Sequence, residues 1–145
     1  MFAPSRTAAG ALVCLLAALP GCTGKPSVGF TDNVEGTLTL DGAPLAGAHV
    51  EFIPDVDAAA KAPSSGGTTD AKGVFRLTRN DNGKPGAAVC AHRVVVYPGR
   101  PEGKERDAAP PLVPAAYMNA AKTPLRVEVT AGPTTCTVKM TRTGR

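Results

Sequence analysis

The chain has no tryptophan, only two histidines and four cysteines in 145 residues, and aromatic side chains make up 4% of it. Val and Leu must therefore do most of the packing in any core it builds. Two isolated imidazoles make a poor metal site, and no His-Glu-x-x-His segment supplies the paired ligands of a zinc hydrolase. Charge of one sign is nowhere concentrated: Glu102, Glu105 and Asp107 sit among Arg100, Lys104 and Arg106. Nucleic-acid binding needs a clustered basic footprint, so nucleic acid is not an expected partner. The mildly basic end, with Lys139, Arg142 and Arg145, reads as a solvated chain terminus. A bilayer-spanning run is missing too, since residues 8–19 give about twelve apolar positions where a spanning helix needs roughly 20.

What stands at the start is Arg6, that apolar run, and then Leu19-Pro20-Gly21-Cys22. This is the layout of an export signal. Leu at the third position before a Cys, with a small Gly immediately before it, resembles the lipobox of bacterial lipoproteins. The resemblance implies that residues 1–21 are removed and that Cys22 is diacylated and becomes the new N-terminus. The lipid would hold the protein at a membrane facing the periplasm or the cell surface, because each buried methylene contributes about 0.8 kcal/mol and several chains together make release rare. The alternative is an ordinary cleaved signal whose Cys22 is an unpaired thiol or a disulfide partner. Without Arg6, 15 Lys and Arg face 12 Asp and Glu, a net charge of about +3. Residues 22–33 form the lipidated N-terminus and a Gly- and Pro-containing tether of roughly 20 Å reach if flexible. One domain is expected over residues 34–145.

Within that domain the hydrophobic period is two. Val34, Leu38 and Leu40 alternate with Glu35, Thr37 and Thr39; Val50 and Phe52 with His49 and Glu51; Phe75 and Leu77 with Arg76 and Thr78. Leu125, Val127 and Val129 repeat the pattern against Arg126 and Glu128, as do Val138 and Met140 against Thr137 and Lys139. Such segments are strands with one apolar face. Residues 92–97 form a nearly continuous β-branched run, suited to burial on both faces. Turn chemistry separates the strands at Asp41-Gly42-Ala43-Pro44, Asp70-Ala71-Lys72-Gly73 and Asn80-Asp81-Asn82-Gly83. Two longer connections, residues 55–67 and 98–114, complete the outline, and residues 115–122 have room for one helical turn. The pattern predicts an all-β, antiparallel sandwich of about seven strands.

Gly36-x-Leu-x-Leu40-Asp41-Gly42-x-Pro44-Leu45-x-Gly47-Ala48-x-Val50-x-Phe52 resembles the opening of carboxypeptidase regulatory-like domains, which share the transthyretin-like (prealbumin-like) sandwich. Thr69-Asp70-x-x-Gly73-x-Phe75-x-Leu77 is similar to that family's second signature. Leu112-Val113-Pro114-x-x-Tyr117, followed by Thr123-Pro124-Leu125-x-Val127-x-Val129, resembles the late part of small bacterial lipoproteins built from this one domain. The resemblance implies a fold and a location more than a reaction. Transthyretin-related hydroxyisourate hydrolases share the fold, but their Tyr-Arg-Gly-Ser ending is replaced here by Thr141-Arg142-Thr143-Gly144-Arg145.

Residue by residue, little chemistry is expected. His49 shares the outward face of its strand with Glu51, and His92 has the inward parity of Val94 and Val96. Ser27 falls in the tether and Ser64-Ser65 in a loop, neither in a strand-turn-helix setting for a nucleophile. Asp55 with Asp57, and Asp81 with Asn80 and Asn82, offer oxygen ligands to calcium, but turn hydrogen bonding explains them equally well. No catalytic residue, metal or cofactor is expected. Cys90 and Cys136 both have core-facing parity, and in an exported chain a disulfide between them is expected; two buried thiols are the alternative. The expected role is structural or protein-binding at the cell envelope, with the membrane and another envelope protein as partners. A glycan or small-ligand binder using Tyr97, Tyr117 and the two long loops is the runner-up, and an enzyme of unrecognised type the third reading.

The N-terminal reading has a direct test. Wild-type protein should partition into detergent and carry acyl chains by mass spectrometry, whereas Cys22→Ala should accumulate as precursor or appear soluble. An unmodified Cys22 in membrane-free material would exclude lipidation.

Overall fold

The computed structural model describes residues 27–56, 61–99 and 111–144. Within them run β1 (Phe30–Thr31), β2 (Val34–Leu40), β3 (Ala43–Pro44), β4 (Ala48–Pro54), β5 (Ser65–Thr68), β6 (Val74–Arg76), β7 (Thr78–Arg79), β8 (Ala87–Ala88), β9 (Ala91–Pro98), β10 (Arg126–Glu128) and β11 (Thr134–Met140). One sheet has the order β10-β9-β4-β5-β7; the second is β11-β2-β3 with β6 also on β2; β1 and β8 form a separate ribbon. The protein is thus all-β. The count exceeds the expected seven because β1, β3, β7 and β8 are two-residue pieces and the run from Val74 to Arg79 breaks at Leu77.

Alternation places the core where the sequence pattern puts it. Val34, Leu38 and Leu40 of β2, Val50 and Phe52 of β4, and Val138 and Met140 of β11 are buried, with polar neighbours turned outward. Full burial of each such aliphatic side chain contributes about 1.5–3 kcal/mol. The two sheets meet at Phe52 and Phe75, whose ring centroids lie 6.0 Å apart at 59°. Gly36 makes this possible: a Cβ there would run into the Phe75 ring and come within 2.8 Å of Cys136 Sγ.

Turns follow the local code. Asp41 and Gly42 both have positive φ, 51° and 84°, as the two-residue β2–β3 hairpin requires. Asp70 Oδ1 accepts the amides of Lys72 and Val74 at 2.8 and 2.9 Å, which holds its carboxyl below the usual range and fixes the turn into β6.

Three features depart from the sequence expectation. First, β11 runs parallel to β2 over seven residues, pairing Leu38 with Val138 and Leu40 with Met140. Alternation is the same for parallel and antiparallel partners, and the chain between these two strands is long enough to allow either direction. Second, the end of the connection expected over residues 55–67 is a strand, Ser65–Thr68, between β4 and β7. Its glycines carry no apolar signal, yet a Cβ on Gly67 would strike the Arg76 carbonyl, so small residues are what the position demands. Third, the fold begins before Val34. Thr31 is buried, pairs with Ala87, and donates its hydroxyl to the Gly132 carbonyl at 2.6 Å.

The expected helical turn is a short 3-10 element, Ala115–Tyr117. It delivers Tyr117 into the core at 1% exposure, where its hydroxyl accepts the Thr141 amide at 2.9 Å. Thr123 donates its hydroxyl to the Val94 carbonyl at 2.7 Å, so this segment covers the stretch of β9 that β10 is too short to pair.

Because β1 contributes a partly buried hydrogen bond and a paired ribbon, a chain beginning at Val34 should be less stable than one beginning at Ser27 by about 2 kcal/mol, a lowering of several degrees in Tm. Equal melting of the two chains would return the domain boundary to Val34.

Candidate functional site

The residues singled out in the sequence do not assemble into one place. Cys22 lies outside the described residues, as does Asp57. Tyr97 is half-buried on β9 and pairs in register with His49 of β4. Tyr117 is a core residue, not an exposed ring. The short Ala115–Tyr117 turn is anchored by the Tyr117 hydroxyl bond to Thr141, which drives the ring inward. An aromatic platform built from both tyrosines is therefore ruled out.

The expected disulfide is not formed either. Cys90 and Cys136 are both free and only partly buried. They belong to different sheets: Cys136 sits on β11 opposite Gly36, whose missing side chain makes its space, while Cys90 immediately precedes β9. A bridge requires Cα atoms within about 7 Å and converging Cβ vectors, and correct inward parity on two strands supplies neither. Burial raises the Cys136 thiol to about 11.

Cys90 is instead engaged with His92. The imidazole is 1% exposed and lies against Phe52, with centroids 5.6 Å apart. Its Nδ1 is 3.0 Å from the Cys90 carbonyl oxygen. A carbonyl only accepts, so Nδ1 carries the proton and Nε2 keeps its lone pair. That Nε2 stands 3.8 Å from Cys90 Sγ. Burial lowers the His92 pKa, opposed in part by the hydrogen bond to Cys90. Burial and the Asp55 charge both raise Cys90. The pair is a neutral thiol facing a neutral imidazole, the opposite of the thiolate beside imidazolium that a cysteine nucleophile needs. Cys90-x-His92 at strand spacing was visible in the sequence as shared parity, but not that both side chains would meet.

Several of the remaining polar groups hold structure, while Ser65 Oγ and Arg79 Nε are buried without a hydrogen-bond partner. Asp55 is bound to Arg93 at 2.6 Å, which lowers its carboxyl. Asn82 Oδ1 accepts the Lys84 amide at 3.0 Å within its turn. Among the described residues no three His, Cys, Asp or Glu side chains gather to hold a metal. Ser64, expected in a loop, donates to Glu51 at 2.9 Å and accepts from Asn80 at 2.8 Å, tying β4 to the turn after β7. Nearby, the Arg79 guanidinium lies 4.5 Å over the Phe30 ring.

A surface feature is left at the edge of the second sheet. Among the described residues, β11 pairs with β2 alone along its seven-residue length. The corresponding edges of the larger sheet are β10 with three residues and β7 with two. Thr135, Thr137 and Lys139 of β11 are exposed.

The thiol geometry predicts that iodoacetamide labels both Cys90 and Cys136 in unreduced native protein. Cys90 should react faster at pH 8, since a thiol near 11 has about one thiolate in a thousand there. Failure of both to label after denaturation without reductant would restore the bridge. No family model, curated protein or solved structure matches this chain, so its functional reading rests on the geometry above.

Proposed function

We propose that this protein is an exported, lipid-anchored, non-catalytic β-sandwich that binds another envelope protein by adding a strand of that partner to β11. The observation that carries this reading is the length of the β11 edge. Seven residues of one-sided pairing offer a row of main-chain donors and acceptors, and an extended segment completes such a ladder. Natural edges are blunted by shortness, proline, bulges or charge. The edges at β10, β7 and β3 are short, whereas β11 contains no proline and one charged residue, Lys139. Its Thr-rich sequence suits the extended conformation. Anchoring at a membrane would raise the local concentration of a partner in the same compartment, so a modest interface suffices.

A photo-crosslinking side chain at Thr137, in cells exporting the protein, should give an adduct of one defined mass. The same group at Glu128, on the short edge of the other sheet, should not. Equal yields from both positions would defeat the strand-addition reading, and Thr137→Lys, which blunts the edge, should weaken the adduct several-fold.

A further inference from the structure

The corner formed by Cys90 and His92 plays no part in strand addition, yet it brings a thiol and a buried imidazole nitrogen within 3.8 Å of each other. We propose that Cys90 Sγ and His92 Nε2 together bind one soft monovalent cation, copper(I). The two atoms stand 3.8 Å apart. With metal–sulfur and metal–nitrogen bonds of about 2.3 and 2.0 Å, one ion spans that gap at an angle of about 125°, and linear coordination needs an opening of only about 0.5 Å. A small rotation of the half-buried Cys90 side chain supplies it.

The imidazole is already in the form a metal requires. Its Nδ1–H is committed to the Cys90 carbonyl at 3.0 Å, the same use of the second ring nitrogen that metal-binding histidines make. That bond and the Phe52 contact fix the ring, so Nε2 is aimed before any ion arrives. Cys90, which immediately precedes β9, is only partly buried.

The donor set selects the ion. Calcium and magnesium take oxygen ligands, and structural zinc takes four donors, whereas no third His, Cys, Asp or Glu joins this pair among the described residues. Thiolate and imidazole suit copper(I), a closed-shell ion content with two donors. Binding balances simply: the Cys90 S–H proton leaves to solvent, the sulfur and Nε2 each donate an electron pair to the ion, and no electron is transferred.

The test uses the full chain with Cys14→Ser and Cys22→Ser, which leaves Cys90 and Cys136 as the thiols. Anaerobic titration with copper(I) held by a chromogenic chelator should transfer one ion per chain and release one proton. Cys90→Ser should abolish transfer, Cys136→Ser should leave it intact, and His92→Gln should weaken it about tenfold or more. Should His92→Gln fail to fold, X-ray absorption of the loaded chain decides: one sulfur with one imidazole nitrogen supports the site, and two sulfurs overturn it. Transfer that survives Cys90→Ser or is lost with Cys136→Ser, or no transfer at all, likewise overturns it.

Discussion

Phe52 is the residue on which the two layers turn. On one side its ring meets Phe75 from the opposite sheet at 6.0 Å, and on the other it meets His92 of its own sheet at 5.6 Å. All three are essentially inaccessible. With so few aromatics in the chain, this one row supplies the large rigid surfaces against which the smaller Val and Leu side chains close, and aromatic pairs add about 0.5–1.5 kcal/mol beyond their buried area. The row also depends on a void in the sequence, because Phe75 occupies the space that any side chain at Gly36 would fill.

The same row determines what the molecule offers to its surroundings. Holding His92 in the core fixes its ring, its tautomer and the direction of Nε2, and thereby the environment of Cys90. Pairing β11 to β2 in parallel brings Cys136 over Gly36, so the second thiol is spent on packing beside Phe75 and not on a bridge. That pairing also leaves β11 as the longest one-sided strand among the described residues. The candidate ion site and the candidate docking edge lie in different sheets, and neither uses the other's residues.

Local polar chemistry is mostly consumed in making turns and tying strands. Asp70 caps the turn into β6, Asn82 closes the turn after β7, and Ser64 joins Glu51 to Asn80. The Glu35–Arg76 and Asp55–Arg93 pairs are exposed or half-exposed, and solvent screening leaves surface pairs of this kind little effect on stability. Asp55, Asn80, Asn82 and Ser64, which read in the sequence as calcium ligands or as a nucleophile, thus have structural partners.

The sequence alone determined the all-β class, the faces of β2, β4, β9 and β11, and the turns at Asp41-Gly42 and Asp70 to Gly73. Each of these depends on interactions between residues a few positions apart, and period-two alternation or an Asp beside a Gly records them directly. It also set His92 inward, since parity along one strand is local. Tertiary structure decided the rest. Strand direction in the β2–β11 pair, the conversion of Ser65 to Thr68 into a strand, the extension of the fold back to Phe30, the burial of Tyr117 and the separation of Cys90 from Cys136 all turn on which distant segment arrives opposite. Alternation tells which side of a strand a side chain occupies, but it is indifferent to the partner's direction, register and sheet, and contacts across those distances are fixed only when the core closes.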